Sequence, residues 1–108
     1  MTLTMLKAKL HRIKVTEANL AYEGSLTLDP DDMEAVGILP YEKILCADVE
    51  NGNRFETYAI VGKRGSHVCC LNGAAAHKGK VGDRLIVMCF ASMSSDEAVG
   101  WQPKVKHF

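Results

Sequence analysis

Neither sign of charge is in excess, since thirteen lysines and arginines balance thirteen aspartates and glutamates in a chain of 108 residues. No net field draws such a protein onto nucleic acid or an anionic membrane, so charge points to a small-molecule site or a protein partner. No apolar run approaches the ~20 residues needed to cross a bilayer. The opening "MTLTMLKAKLHRIK" alternates apolar and basic residues where a signal peptide would build an apolar block. A cytoplasmic address is the expectation. No C-x-x-C pair occurs among Cys46, Cys69, Cys70 and Cys89, and His77 has no zinc-ligand spacing to any of them. No metal is expected, and the thiols read as buried, reduced and small, with Cys69 and Cys70 on opposite faces of a strand. Linkers, repeats and low-complexity segments are also missing, which leaves residues 1–108 as a single domain.

What is present is ordinary globular material, 47% apolar and 24% charged, arranged largely with strand periodicity. From Met5 to Val15, Leu6, Ala8 and Leu10 share one face while Lys7, Lys9 and His11 share the other. Ile13 and Val15 then fall on the basic face, which predicts a bulge or a new packing partner near Arg12. Two short extended pieces meet at Gly24-Ser25. "DPDDMEAVG" predicts a helix over Pro30–Val36, with Asp29 as N-cap, Pro30 at the first position and Gly37 ending it. A strand from Lys43 to Glu50, the pair Asn51-Gly52 and a return strand to about Val61 read as a hairpin with a type I′ turn. "KRGS" turns the chain into "HVCCL", "NGAAAH" forms a loop or short helical turn, Arg84 to Ala91 is the most apolar strand, and "QPKVKHF" supplies an edge. The fold class is mainly β, a barrel or sandwich.

Gly24-Ser25 carries the sharpest chemical possibility. A serine hydroxyl can attack the carbonyl of the residue before it, turning the amide into an ester, when the peptide is held near an oxyanion donor. Glycine on the acyl side tolerates unusual backbone angles and leaves that carbon uncrowded. β-Elimination then leaves dehydroalanine, which hydrolyses to a pyruvoyl group. By itself the dipeptide is a common turn element.

Taken together, "KLHRIKVT", "YEGS", "NGNRFETYAI", "KRGS" and "NGAAAHKGKVGD" resemble the pyruvoyl-dependent aspartate 1-decarboxylases, in order and spacing, over nearly the whole chain. The resemblance implies a six-stranded double-psi β-barrel with one or two short helices, assembled as a homotetramer with active sites between subunits. It implies self-cleavage into residues 1–24 (β chain) and 25–108 (α chain), with Ser25 becoming the pyruvoyl cofactor. The implied reaction converts L-aspartate to β-alanine and carbon dioxide for pantothenate and coenzyme A synthesis. By the same resemblance Thr57 stabilises the oxyanion of self-cleavage, and Tyr58 is the acid that protonates the carbanion. Lys9 and Arg54 bind substrate, His11, Tyr22 and Asn72 support processing, and Gly73, Ala74 and Ala75 line the substrate pocket. Some relatives have tryptophan where this chain has Ala47, and some continue past Phe108.

The chemistry agrees with that assignment. A pyruvoyl ketone condenses with an amine and withdraws electrons through its neighbouring carbonyl, as pyridoxal phosphate does. The two carboxylates of aspartate need cations, and the forked guanidinium of Arg54 suits the carboxylate that is retained. Geometry poses one problem. On a regular strand Arg54 and Tyr58 share a face and Thr57 points away, so Thr57 and Tyr58 serve one pocket only through a twist, a bulge or a subunit interface. Lys9 and His11 share a face. Two other classes compete: a β-barrel that binds DNA or a protein without catalysis, and a thiol or metal redox protein. Read singly, each named residue has an ordinary structural role. His67, His77 and His107 keep that role, and Trp101 has no assigned place.

Overall fold

The N-terminal alternation folds as a long strand, β1 (Thr2–Lys14), in a computed structural model that describes all residues from Met1 to Phe108. Its pairing with β7 (Arg84–Ser94) slips twice, between Leu6 and Ala8 and between His11 and Ile13. At the second slip Arg12 stands outside the ladder with a left-handed φ of 69°. This extra residue returns Ile13 to the buried side already occupied by Ala8 and Leu10. The bulge expected near Arg12 is therefore present; the one at Lys7 left no mark on the alternation. Beside that first slip, the Leu6 carbonyl accepts a hydrogen bond from the Trp101 indole at 2.7 Å, which gives Trp101 its place.

Between β1 and β7 run β2 (Glu17–Asn19), β3 (Ser25–Leu28), helix α1 (Pro30–Val36), β4 (Lys43–Asp48), β5 (Arg54–Val61), β6 (Cys69–Asn72) and a 3₁₀ turn at Gly73–His77. After β7 come α2 (Ser95–Ala98) and β8 (Lys104–His107). The architecture is mainly β with two short helices. All eight strands join one sheet in the order β2-β6-β3-β5-β4-β7-β1-β8. This departs from the expected six-stranded closed barrel, because no ladder joins β8 to β2. Only the chain just past the end of β1 draws the sheet round on itself, where Thr16 N–H donates to the Cys69 carbonyl and Cys69 N–H donates to Thr16 Oγ1, both at 2.9 Å.

Helix α1 is built as expected. Asp29 accepts from Asp31 N–H at 2.8 Å, and Gly37 closes the last turn in the left-handed region. Asp29 does more than cap. Fully buried, it also accepts from Gly65 N–H at 3.1 Å and His67 N–H at 2.8 Å, so one carboxylate pins the 63–66 turn to the helix. These bonds hold its pKa below the usual carboxylate range against the opposing effect of burial. Asp32, also buried, pairs with Lys106 of β8 at 2.6 Å and has His67 at 3.9 Å.

The β4–β5 connection differs from the expected turn. Strand β4 ends at Asp48, and only Gly52 has positive φ, whereas a type I′ turn needs it at both central residues. Asn51 instead uses its side chain, accepting from Asn53 N–H at 2.8 Å and donating to the Lys78 carbonyl at 2.9 Å. Contacts to a distant loop override the local preference of the dipeptide.

The core gathers Leu10, Ile13, Leu26, Leu28, Ile44, Leu71, Leu85 and Val87 from the strands with Met33 and Val36 from α1. Cys46, Cys69 and Cys89 join them as small apolar groups, and burial pushes the Cys46 and Cys89 thiols up to about 12. All four cysteines are free.

One polar pair is buried at the end of this core. The carboxyls of Asp48 and Asp83 both border Gly79, where an added Cβ would lie 2.6 Å from Asp48 Oδ2 and 3.5 Å from Asp83 Oδ2. Asp48 Oδ1 accepts from Glu50 N–H at 2.8 Å, while its Oδ2 has no partner. Burial, then the contact with Asp83, pushes Asp48 up to about 6, and the same contact holds Asp83 down. Of the two, Asp48 is the carboxyl that takes up a proton first as pH falls. A raised folded-state pKa means that Asp48 stabilises the fold below its unfolded pKa and that this stabilisation is lost as pH rises through about 6. Asp48→Asn, which keeps a donor at every pH, should raise stability more at pH 8 than at pH 5, by on the order of 1 kcal/mol, because part of the loss has already set in at pH 5, above the unfolded pKa. Urea unfolding at the two pH values checks this; equal effects at both would assign the proton elsewhere.

Candidate active site

Strand β3 brings the predicted cleavage residues into the sheet. It runs parallel to β5, with Leu26 opposite Ala59, and antiparallel to β6, with Ser25 opposite Asn72. Leu26 and Leu28 are fully buried and anchor the short strand, with Leu28 accepting from Gly62 N–H at 2.8 Å. Ser25 is also fully buried. Its Oγ donates to the Glu23 carbonyl at 3.2 Å and accepts from Asn72 Nδ2 at 3.0 Å. The hydroxyl next to the Gly24 carbonyl is thus held from two sides, one of them by Asn72.

Gly24 and Ser25 open onto different clefts. One, of about 330 Å³, is lined by Tyr22, Glu23, Ser25 and Tyr58 with Pro40, Tyr41, Ile60 and Val61. The other, of about 250 Å³, is lined by Gly24, Thr57, Ala74, Ala75 and Lys78 with Phe55 and Glu56. Strand β5 is regular here, without bulge or register slip, so Thr57 and Tyr58 stay on opposite faces. Carrying the Leu26–Ala59 register back along the strands sets Ser25 beside Tyr58 and Gly24 beside Thr57. The geometric problem posed by adjacent Thr57 and Tyr58 resolves in this way, with one residue on each side of the Gly24–Ser25 bond.

Glycine is sterically required at a different position from the one expected. Gly24 has no positive φ, and a Cβ there would meet nothing within 4 Å. Gly73 has φ of 62°, and a Cβ there would lie 2.6 Å from the Tyr22 carbonyl oxygen and 2.7 Å from Gly24 N. Real Cβ atoms do not approach backbone so closely. The first residue of the 3₁₀ turn is therefore the surface against which the 22–24 segment lies.

The remaining sequence-derived residues do not gather at this place. Lys9 lies on β1 opposite Met88 and Val105. His11, two residues on, packs edge-to-face on His107 with ring centroids 5.4 Å apart, and burial, then the charges of Lys9, His107 and Arg12, lowers its pKa. Arg54 is exposed at the start of β5 opposite Ala47. At ~3.3 Å per residue it stands about 13 Å along the strand from Tyr58. No cation lines the Ser25 cleft. Lys78, which lines the Gly24 cleft, falls within "NGAAAHKGKVGD" but was given no role there, and no motif marked Pro40 and Tyr41, whose exposed loop reaches the Ser25 cleft only through tertiary packing.

A family model described as aspartate decarboxylase matches residues 1–108. The chain belongs to that family. An aspartate 1-decarboxylase of Clostridium botulinum (strain ATCC 19397 / Type A) is 53% identical over 105 residues, covering 97% of this chain and 83% of the relative. That of Clostridium novyi (strain NT) is 52% identical over 105 residues, with 97% and 85% covered. That of Syntrophus aciditrophicus (strain SB) is 54% identical over 99 residues, with 92% and 85% covered. For this aspartate decarboxylase family member, the geometry makes the Gly73 contact a test of the processing segment. Gly73→Ala should displace residues 22–24, costing on the order of 1–3 kcal/mol and leaving Tyr22 and Gly24 more open to protease. Limited proteolysis with mass detection checks this; an unchanged digestion pattern would contradict it.

Proposed function

We propose that this chain is a carboxy-lyase that releases one carboxylate of L-aspartate as carbon dioxide and forms β-alanine, the precursor of pantothenate, with a pyruvoyl group made from its own Ser25. The observation that carries the reading is the position of the Gly24–Ser25 bond between two clefts, with Thr57 lining the Gly24 cleft and Tyr58 the Ser25 cleft. Ser25 Oγ attacks the Gly24 carbonyl carbon, the C–N bond gives way to a C–O ester, and the proton passes to the new amine. Thr57 supplies the donor for the oxyanion on the Gly24 side. β-Elimination then frees Gly24 as a carboxylate, and hydrolysis of the dehydroalanine releases ammonia. The products are residues 1–24 and 25–108.

The resulting keto acyl group supplies the electron sink for decarboxylation when joined to the substrate amine. Ser25 fits this role, being buried, on a rigid strand and at the wall of a cleft of about 330 Å³, near the lower end of the ~300–1,000 Å³ usual for small ligands. Tyr58 donates the proton that replaces the lost carboxylate. Arg54 holds the retained side-chain carboxylate and Lys9 assists, while Tyr22 and His11 support the processing segment. Gly73, Ala74 and Ala75 shape the adjoining wall. Because Lys9 and Arg54 lie away from the Ser25 cleft of their own chain, a second copy completes the site. We therefore read the assembly as a homotetramer with active sites between subunits, its sheet rolled as a double-psi β-barrel. The hydrogen bonds between Thr16 and Cys69 support that closure. The balanced charge supports a protein that engages neither nucleic acid nor membrane and works in the cytoplasm.

Denaturing mass spectrometry should find two fragments, residues 1–24 and 25–108, the second blocked to Edman degradation, together with carbon dioxide release from L-aspartate. Ser25→Ala should give one intact chain and no turnover. An intact wild-type chain without decarboxylase activity would refute the proposal. Tyr58→Phe should still cleave, while carbon dioxide release falls by ~10²–10⁴-fold; normal turnover would remove Tyr58 from the proton transfer.

A further inference from the structure

The β3–β6 ladder sets four side chains in a square. Ser25 lies opposite Asn72 and Thr27 opposite Cys70, and the period of two puts all four on one face, away from the core residues Leu26, Leu28, Cys69 and Leu71. Asn72 stands at the centre. One side of its amide donates from Nδ2 to Ser25 Oγ at 3.0 Å and Thr27 Oγ1 at 2.7 Å; the other side accepts at Oδ1 from Cys70 Sγ at 3.2 Å. Asn72 is also the N-cap of the 3₁₀ turn, a place where asparagine ordinarily caps with its side chain, yet it makes no such bond. Its amide is committed wholly to the square.

By shape alone that amide fits its space in two orientations. With NH₂ toward β3, it donates to Ser25 Oγ and leaves the hydroxyl proton on the Glu23 carbonyl at 3.2 Å. Turned over, its oxygen would take the proton of Ser25 and draw the hydroxyl off Glu23. The thiol decides between them. Cys70 is buried, and burial, then the charge of Glu17, raises its pKa, so it is a protonated donor at neutral pH. A thiol is a far poorer acceptor of an amide N–H than an oxygen is, so Oδ1 faces Cys70. Thr27 takes the second N–H and leaves neither amide hydrogen unpaired.

We propose that Cys70 and Thr27 are positioning residues for self-cleavage, which lock the Asn72 amide with its NH₂ group toward Ser25 Oγ. This rests on the processing role proposed for Ser25. Freshly translated chains, followed by denaturing electrophoresis, report the first-order rate of appearance of the 25–108 fragment. Cys70→Val fills the same volume without a donor and should slow cleavage about 3–10-fold, as should Cys70→Ala. Cys70→Ser restores a donor and should return the rate to within twofold of wild type. Thr27→Ser, which keeps its hydroxyl, should cleave faster than Thr27→Val. If wild type cleaves but Cys70→Val and Cys70→Ala both match it, or Cys70→Ser is as slow as they are, the positioning role is wrong and Cys70 only packs. If either apolar variant fails to fold, as judged by circular dichroism, the other and the threonine pair decide. Wild type that never cleaves refutes the processing reading itself, a result distinct from cleavage insensitive to Cys70.

Discussion

Everything at the candidate site hangs on the pairing of one four-residue strand. β3 lies between β5 and β6, parallel to the first and antiparallel to the second. An isolated strand of this length has no stability of its own. It is held by the full burial of Leu26 and Leu28, worth roughly 1.5–3 kcal/mol each, and by ladders on both edges. That double pairing puts Ser25 against Asn72 on one side and in register with Tyr58 on the other. A slip of one residue would turn Ser25 out of the Asn72 square and place leucines in it.

The same pairing gives adjacent residues separate tasks. A straight β5 sends Thr57 and Tyr58 to opposite faces, and the Gly24–Ser25 bond lies where both faces are reached. In the proposed function, stabilisation of an acyl oxyanion and later delivery of a proton would then come from two sides without competing for space. Charge is kept elsewhere. Arg54 at the far end of β5, with Ala47 opposite, and Lys9 on β1 leave the Ser25 cleft without a cation from its own chain. The proposed binding of a dicarboxylate there would therefore call for cations from another copy.

Much of the local structure was legible from the residues. Asp29, Pro30 and Gly37 delimit α1 because each acts through its own backbone geometry, and the parity change at Arg12 announced a bulge because strand faces alternate strictly. The Gly24-Ser25 pair drew attention through chemistry, as a hydroxyl following an uncrowded carbonyl. Asn51-Gly52 misled, since its side-chain bonds run to Lys78, a residue far along the chain. Gly24 misled in part. It marks the bond, but the steric demand for glycine lies at Gly73, forty-nine residues later, and shows only when the two segments touch. The closed barrel implied by resemblance appears as an open order of ladders, with Thr16 and Cys69 bonded across the gap.

Residue identity by itself determined the strand-rich character, the helix and its ends, and the family, because these depend on neighbours along the chain and on ordered motifs. Tertiary structure alone decided that Thr57 and Tyr58 flank the Gly24–Ser25 bond from opposite faces, that Cys70 reaches Asn72, that Asp48 and Asp83 meet beside Gly79, and that Lys9 and Arg54 stand apart from Ser25. Each of these is a relation between segments distant in sequence. Strand pairing and register set such relations, and neither is written in any local pattern.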